Sequence, residues 1–163
     1  HSLPKNLSSE TTFSEDIADP DTLGKRLWPL CEKVTDRMKA RDLAGRTVTL
    51  KLKSSQFKTL TRSHALPAPT QLAETLYRAA VPLLDRAIAA APSGSTFRLI
   101  GIGLSNFADP LEADPPDLAD PDADHRKKVE AVIDQVRGKL GRDAIGKGRS
   151  IRGDKRQKPD DKR

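Results

Sequence analysis

Apolar and polar residues alternate strictly from Arg46 to Lys53, with Val48, Leu50 and Leu52 on one side and Thr47, Thr49, Lys51 and Lys53 on the other. A period of two belongs to a half-buried β-strand. Phe57 to Leu66 is read as a second strand, joined to the first across Ser54-Ser55-Gln56 as an antiparallel hairpin. Its phase is broken, because Phe57 and Leu60 fall on opposite faces unless a bulge intervenes. Pro67 and Pro69 are expected to end it. Phe97 to Ser105 alternates again, with Ile100, Ile102 and Leu104 inward and Leu99, Gly101, Gly103 and Ser105 outward. Leu7 to Phe13, rich in Ser and Thr, is a further strand.

Two stretches change to helical spacing. Leu23, Leu27, Leu30, Val34 and Met38 recur at three- and four-residue steps behind an Asp19-Pro20 start, where Asp19 serves as N-cap and Pro20 fills the first helical position. Leu72, Leu76, Ala80, Leu83 and Ala87 form a second stripe, capped by Thr70 and closed by Pro92-Ser93-Gly94. Pro29 and Pro82 are expected to kink or split these helices. The order strand, helix, strand, strand, helix, strand predicts an α+β fold of the split-βαβ (βαββαβ) kind. Two helices then cover one face of a four-stranded antiparallel sheet and leave the other bare.

Charge divides the chain of 163 residues. Residues 1–107 hold 15 basic and 10 acidic side chains, residues 108–124 none and 7, and residues 125–163 hold 14 and 6, for the overall +6. The division predicts a globular domain over 7–107, an acidic Pro-rich linker over 108–124, a C-terminal helix over 125–145 and a basic flexible tail over 146–163. Residues 1–6 are expected to be a cloning remnant or an interdomain linker, and the chain a fragment. The C-terminal helix rests on Val129, Val132, Ile133, Val136 and Leu140. Aromatic residues make up only 4% of the chain, so the core must be mainly aliphatic. The single cysteine, Cys31, excludes an internal disulfide and a multi-cysteine zinc site. No apolar run approaches the ~20 residues of a membrane span. The expectation is a cytoplasmic monomer without a membrane partner.

Catalytic patterns are missing. His1, His64 and His125 form no ligand pair, and Gly101-Ile102-Gly103 lacks the third glycine and the helix of a dinucleotide loop. Asp16, Asp19 and Asp21 suit helix capping better than metal. No catalytic residue, metal site or cofactor is therefore expected in this chain. The outward face of the sheet has two readings. Lys51 and Lys53 are either ordinary solubilising charges or, together with Thr59, Thr61, Arg62, Ser63, Gly101 and Ser105 on neighbouring strands, a surface for phosphate oxygens. The scarcity of outward aromatics argues against base stacking.

Four segments carry a family likeness: Ser8-Ser9-Glu10-Thr11-Thr12-Phe13-Ser14-Glu15-Asp16, Gly45 to Lys53, Phe57-Lys58-Thr59-Leu60-Thr61-Arg62-Ser63, and Arg98-Leu99-Ile100-Gly101-Ile102-Gly103-Leu104-Ser105. Over residues 7–107 they resemble the little-finger (polymerase-associated) domain of Y-family DNA polymerases, the bacterial DNA polymerase IV group. Leu140 to Ile145 is similar to the end of many such enzymes. The resemblance implies an error-prone translesion polymerase whose magnesium ions sit on palm carboxylates upstream of this chain. It also implies a domain that grips double-stranded primer–template DNA through phosphates. Carried over by motif, the contact residues are Ser9, Thr11, Thr12, Lys51, Lys53, Thr61, Arg62, Ser63, Gly103 and Ser105. A non-catalytic interaction module is the alternative, for example one tethering the replicative sliding clamp. For the clamp, Leu118 in the acidic linker and Phe107 are the candidate anchors, beside the reading of the linker as a plain spacer.

Overall fold

The computed structural model describes residues 4–116 and 123–140. Its elements are β1 (Asn6–Ile17), α1 (Pro20–Ala40), β2 (Ala44–Ser54), β3 (Thr59–Thr70), α2 (Ala73–Ala90), β4 (Phe97–Ala108), a 3-10 turn (Pro110–Glu112) and α3 (Ala123–Leu140). The strands form one antiparallel sheet in the order β1-β4-β2-β3. β4 separates β1 from β2, and β2 separates β3 from β4, so two split βαβ units interlock. The α+β fold read from the residue pattern is the fold observed.

α1 begins where Asp19 places it. The Asp19 carboxylate accepts from the Thr22 N–H at 3.1 Å and from the Thr22 hydroxyl at 2.7 Å. Of the kink or split expected at the internal prolines, the split does not occur: α1 runs unbroken through Pro29 and α2 through Pro82. Both prolines lie on the solvent side of their helices, so the carbonyls they free one turn earlier, at Lys25 and Arg78, are left to water rather than stranded in the core. The inner stripes pack on Val48, Leu50 and Leu52 of β2 and Ile100, Ile102 and Leu104 of β4, all essentially inaccessible. Trp28 of α1 meets Tyr77 of α2 edge to face at 5.3 Å, and the Tyr77 hydroxyl donates to the Gly24 carbonyl. Gly45 of β2 is needed where the sheet meets the end of α1: a Cβ there would lie 2.8 Å from Leu104 Cβ and 3.2 Å from Met38 Cε.

Three details of the hairpin and the second helix depart from the sequence reading. Phe57 belongs to the turn, not to β3; its φ is 68°, and the Arg98 guanidinium lies 4.4 Å from the centre of its ring. The turn closes through Ser54, whose hydroxyl accepts from the Gln56 and Lys58 N–H groups. β3 also runs on through Pro67 and Pro69 to Thr70. Between Thr47↔Ala65 and Gly45↔Thr70, four residues of β3 face only Arg46, and this bulge on an edge strand absorbs both prolines. Finally, Leu72 rather than Thr70 is the N-cap of α2. The Thr70 hydroxyl instead donates to Asp114 at 2.6 Å and accepts from the Leu72 N–H at 3.0 Å.

α3 lies against the first two helices by charge. Arg137 bonds Glu32 at 2.7 Å and Asp36 at 3.2 Å, and Lys39 bonds Asp134 at 2.8 Å and Glu130. Glu130 also accepts from the Ala73 N–H at the start of α2, where a carboxylate meets the positive helix end. Burial, the largest influence, pushes the Glu130 carboxyl above its ordinary value despite Lys39. Burial would lower Lys39, but Glu130 and Asp134 outweigh it and hold the ammonium above its ordinary 10.5. A raised folded-state value means that the Lys39 contribution is complete below pH 10.5 and is lost as the pH climbs beyond it. Hydrogen exchange along α3, corrected for its intrinsic pH dependence, is therefore expected to lose protection only as the pH climbs above 10.5, and Lys39→Met should remove that transition.

Candidate functional site

Register turns the bare face into four rows across β1, β4, β2 and β3. They are Asn6–Ser105–Thr47–Ala65, Ser8–Gly103–Thr49–Ser63, Glu10–Gly101–Lys51–Thr61 and Thr12–Leu99–Lys53–Thr59. Because β4 contributes glycine to the two middle rows, a trough runs between β1 and β2. It forms a shallow cavity of about 300 Å³ whose lining includes Ser8, Glu10, Thr49, Lys51, Thr61 and Ser105. A Cβ on Gly101 or Gly103 would lie 3.0 Å from the Cβ of Glu10 or Ser8, respectively, so a side chain there would crowd β1 and fill the trough.

Hydroxyls dominate the surface. Thr49 and Ser63 hydrogen-bond each other at 2.9 Å, and the Asn106 amide donates to the Thr47 hydroxyl at 2.6 Å from a left-handed position, φ 56°. Lys51 reaches across Gly101 to Glu10, Nζ to Oε1 at 3.2 Å. With Lys51, Lys53 and Glu10 as the charged members of the four rows, the face is only mildly basic.

Of the candidate residues, the structure brings Thr12, Lys51, Lys53, Thr61, Ser63, Gly103 and Ser105 together on this face. It does not bring the side chains of Ser9, Thr11 or Arg62 there, although Ser9 lines the trough through its backbone. Ser9 pairs with Ile102, Thr11 with Ile100 and Arg62 with Leu50, all positions of the helix-covered side, and the Arg62 guanidinium folds back onto the Thr61 carbonyl. The signal was in the sequence: Leu7 and Phe13 are six apart, so if both point inward, Ser9 and Thr11 do too. The same parity links Leu60, Arg62 and Leu66. Glu10, Ser8, Asn6 and Thr49 were not among the candidates and line the trough. Leu99 was read as outward; it holds its place in the last row but is buried.

Phe107 packs half-buried against the core, and Leu118 lies outside the described residues. Within the stretch read as an acidic linker, Asp109 accepts from the Leu111 N–H at 2.8 Å, and Asp114 holds Thr70 and the Gln71 N–H. The short turn between them presents Leu111, which is 93% exposed. Among the described residues, no three His, Cys, Asp or Glu side chains group to hold a metal ion, so these residues do not fit the magnesium site that the resemblance implies for a parent enzyme. No described helix is long and apolar enough to cross a membrane.

The sheet thus has one face packed against the helices and the other open, glycine-troughed and hydroxylated. Residues 4–118 match the impB/mucB/samB family C-terminal domain. The chain belongs to this family and is the little-finger domain of a Y-family DNA polymerase of the DNA polymerase IV type. It is 46% identical over 144 residues to DNA polymerase IV 1 of Mesorhizobium japonicum, covering 88% of this chain and 32% of that protein. The chain thus spans about a third of the length of this curated relative. The fold is shared with a Y-family DNA polymerase chimera of Dbh and Dpo4 (TM-score 0.60, 14% identity, 66% of this chain and 30% of that one). It is also shared with a structure described as a complex of the beta-clamp processivity factor and the little finger domain of PolIV (TM-score 0.52, 20% identity, 61% and 86%).

Proposed function

We propose that the bare sheet face grips the primer–template duplex by its phosphates, without reading base sequence. Magnesium-dependent nucleotidyl transfer then belongs to a palm domain outside this chain, which by itself extends no primer. The observation that carries this reading is the four-row face, polar throughout its two middle rows and kept clear along β4 by Gly101 and Gly103. Its dimensions suit the ligand. Three inter-strand spacings put the edge strands β1 and β3 about 14 Å apart, close to the ~12 Å width of the major groove of B-DNA. Each edge strand also turns every second N–H away from the sheet, which gives both phosphate backbones a row of donors beside Ser8, Thr12, Thr61 and Ser63. The mild charge of the face favours weak, exchangeable binding. Fluorescence anisotropy of a labelled duplex, titrated at several salt concentrations, tests this. The reading predicts Kd values of roughly 10⁻⁴–10⁻⁶ M, a slope of about −0.9 per phosphate contacted, and equal affinity for unrelated sequences. No binding at 50 mM salt, or strong preference for one sequence, would overturn it.

Leu111 supports a second, compatible role. A leucine held in the open between two aspartate-capped turns suits an apolar pocket on a partner, and the clamp complex named above supplies the partner: the sliding clamp. Leu111→Ala is expected to weaken clamp binding by the full chain about 5- to 30-fold, the value of one leucine side chain at an interface. Phe107→Ala should lower thermal stability and leave clamp binding intact.

A further inference from the structure

Gly101 leaves a gap in the middle of the sheet face, and the strands on either side use it. Glu10, Gly101 and Lys51 are register partners in one row, and the two charged side chains meet above the glycine at 3.2 Å. Both are exposed in part, Glu10 at 53% and Lys51 at 41%, so an anion arriving at the trough reaches them together. Glu10 is the one carboxylate in the four rows. Here it neutralises the more central of the two lysines.

Resting on the reading of this face as the DNA grip, we propose that Glu10 is an affinity-limiting residue that makes Lys51 available only to an anion able to displace a carboxylate. In the free protein, Lys51 is occupied by Glu10. When a phosphate takes the ammonium, Glu10 is released beside the DNA, where it repels neighbouring phosphates and recruits a cation from solution. That uptake offsets the cation freed from the phosphate, so the exchange at Lys51 releases no net counterion. Lys53, one row away and facing Leu99 rather than an acid, has no such opposition. The domain consequently holds DNA through hydroxyls, backbone amides and one unopposed lysine, and lets it slide.

The test is a salt-titrated comparison of the full chain with Glu10→Gln, which keeps size and hydrogen bonding and removes charge. Glu10→Gln is expected to bind duplex about two- to fivefold tighter at low salt, the range of one screened surface charge contact, with a salt slope steeper by about one unit. The double variant Glu10→Gln/Lys51→Ala should return the slope to the wild-type value. Unfolding midpoints within a few degrees of one another show that all three chains are folded. Wild-type binding with unchanged affinity and slope in Glu10→Gln overturns this inference and leaves the DNA grip standing. Failure of the wild-type chain to bind duplex at all overturns both.

Discussion

Replacing Lys51 and Lys53 together with alanine is expected to weaken duplex binding about 30-fold at low salt, by the same factor for every sequence, because loss of the Lys53 contact and exposure of an uncompensated Glu10 to the phosphates are each worth roughly 1 kcal/mol. Uniform loss is the signature of phosphate contacts, which position a protein on DNA without carrying sequence information. Lys51 and Lys53 share one strand and one face, so their removal leaves the fold unstrained and the unfolding midpoint near that of the parent. Arg62→Ala supplies the contrast. Its pairing with Leu50 puts Arg62 on the side of the sheet that faces the helices, and its removal should cost less than either lysine. Equilibrium binding to several unrelated duplexes measures both effects. A loss concentrated in one sequence would show base reading instead, and an Arg62 effect larger than that of the lysine pair would place the DNA on the wrong edge for this account.

Trp28→Ala is expected to have the largest effect on stability, about 3–5 kcal/mol. Trp28 is 1% exposed and stands between the helices, edge to face with Tyr77, so truncation removes apolar burial, an aromatic pair and the filling between α1 and α2. The sheet face lies on the far side of the core and keeps its side chains. Denaturant unfolding followed by circular dichroism should show a lower midpoint with an unchanged slope, which indicates lost stability rather than a changed unfolded state. Below the transition the variant should still bind duplex. A loss under 1 kcal/mol would mean that the helices are held mainly by other contacts.

These expectations rest on features that were legible in the sequence to different degrees. The alternation of Val48, Leu50 and Leu52 and the stripe from Leu23 to Met38 place whole elements, because burial of one face is their dominant energy. Asp19 marks its helix start by local chemistry alone. Pro67 and Pro69 do not end β3, because a bulge on an edge strand absorbs them, and Pro29 and Pro82 do not split their helices, because the cost falls on solvent-facing carbonyls, circumstances that only the tertiary structure supplies. Phe57 reads as the first residue of a strand and is a turn residue, held there under the Arg98 guanidinium of β4. The ion pairs of α3 with α1 join residues about 100 positions apart, beyond the reach of any local pattern. The side of Ser9, Thr11 and Arg62 was available from strand parity. The family motif, which spans both faces, gave no means of separating them.

The most direct test of the central claim is a map of where DNA touches the domain, from amide chemical-shift changes in the full chain titrated with a short duplex. The account predicts changes along Asn6–Thr12 of β1, Thr47–Lys53 of β2, Thr59–Ser63 of β3 and Gly101–Ser105 of β4. The outer surfaces of α1 and α2, around Pro29 and Pro82, should stay silent. Shifts centred on those helices, with the glycine trough unaffected, would contradict it.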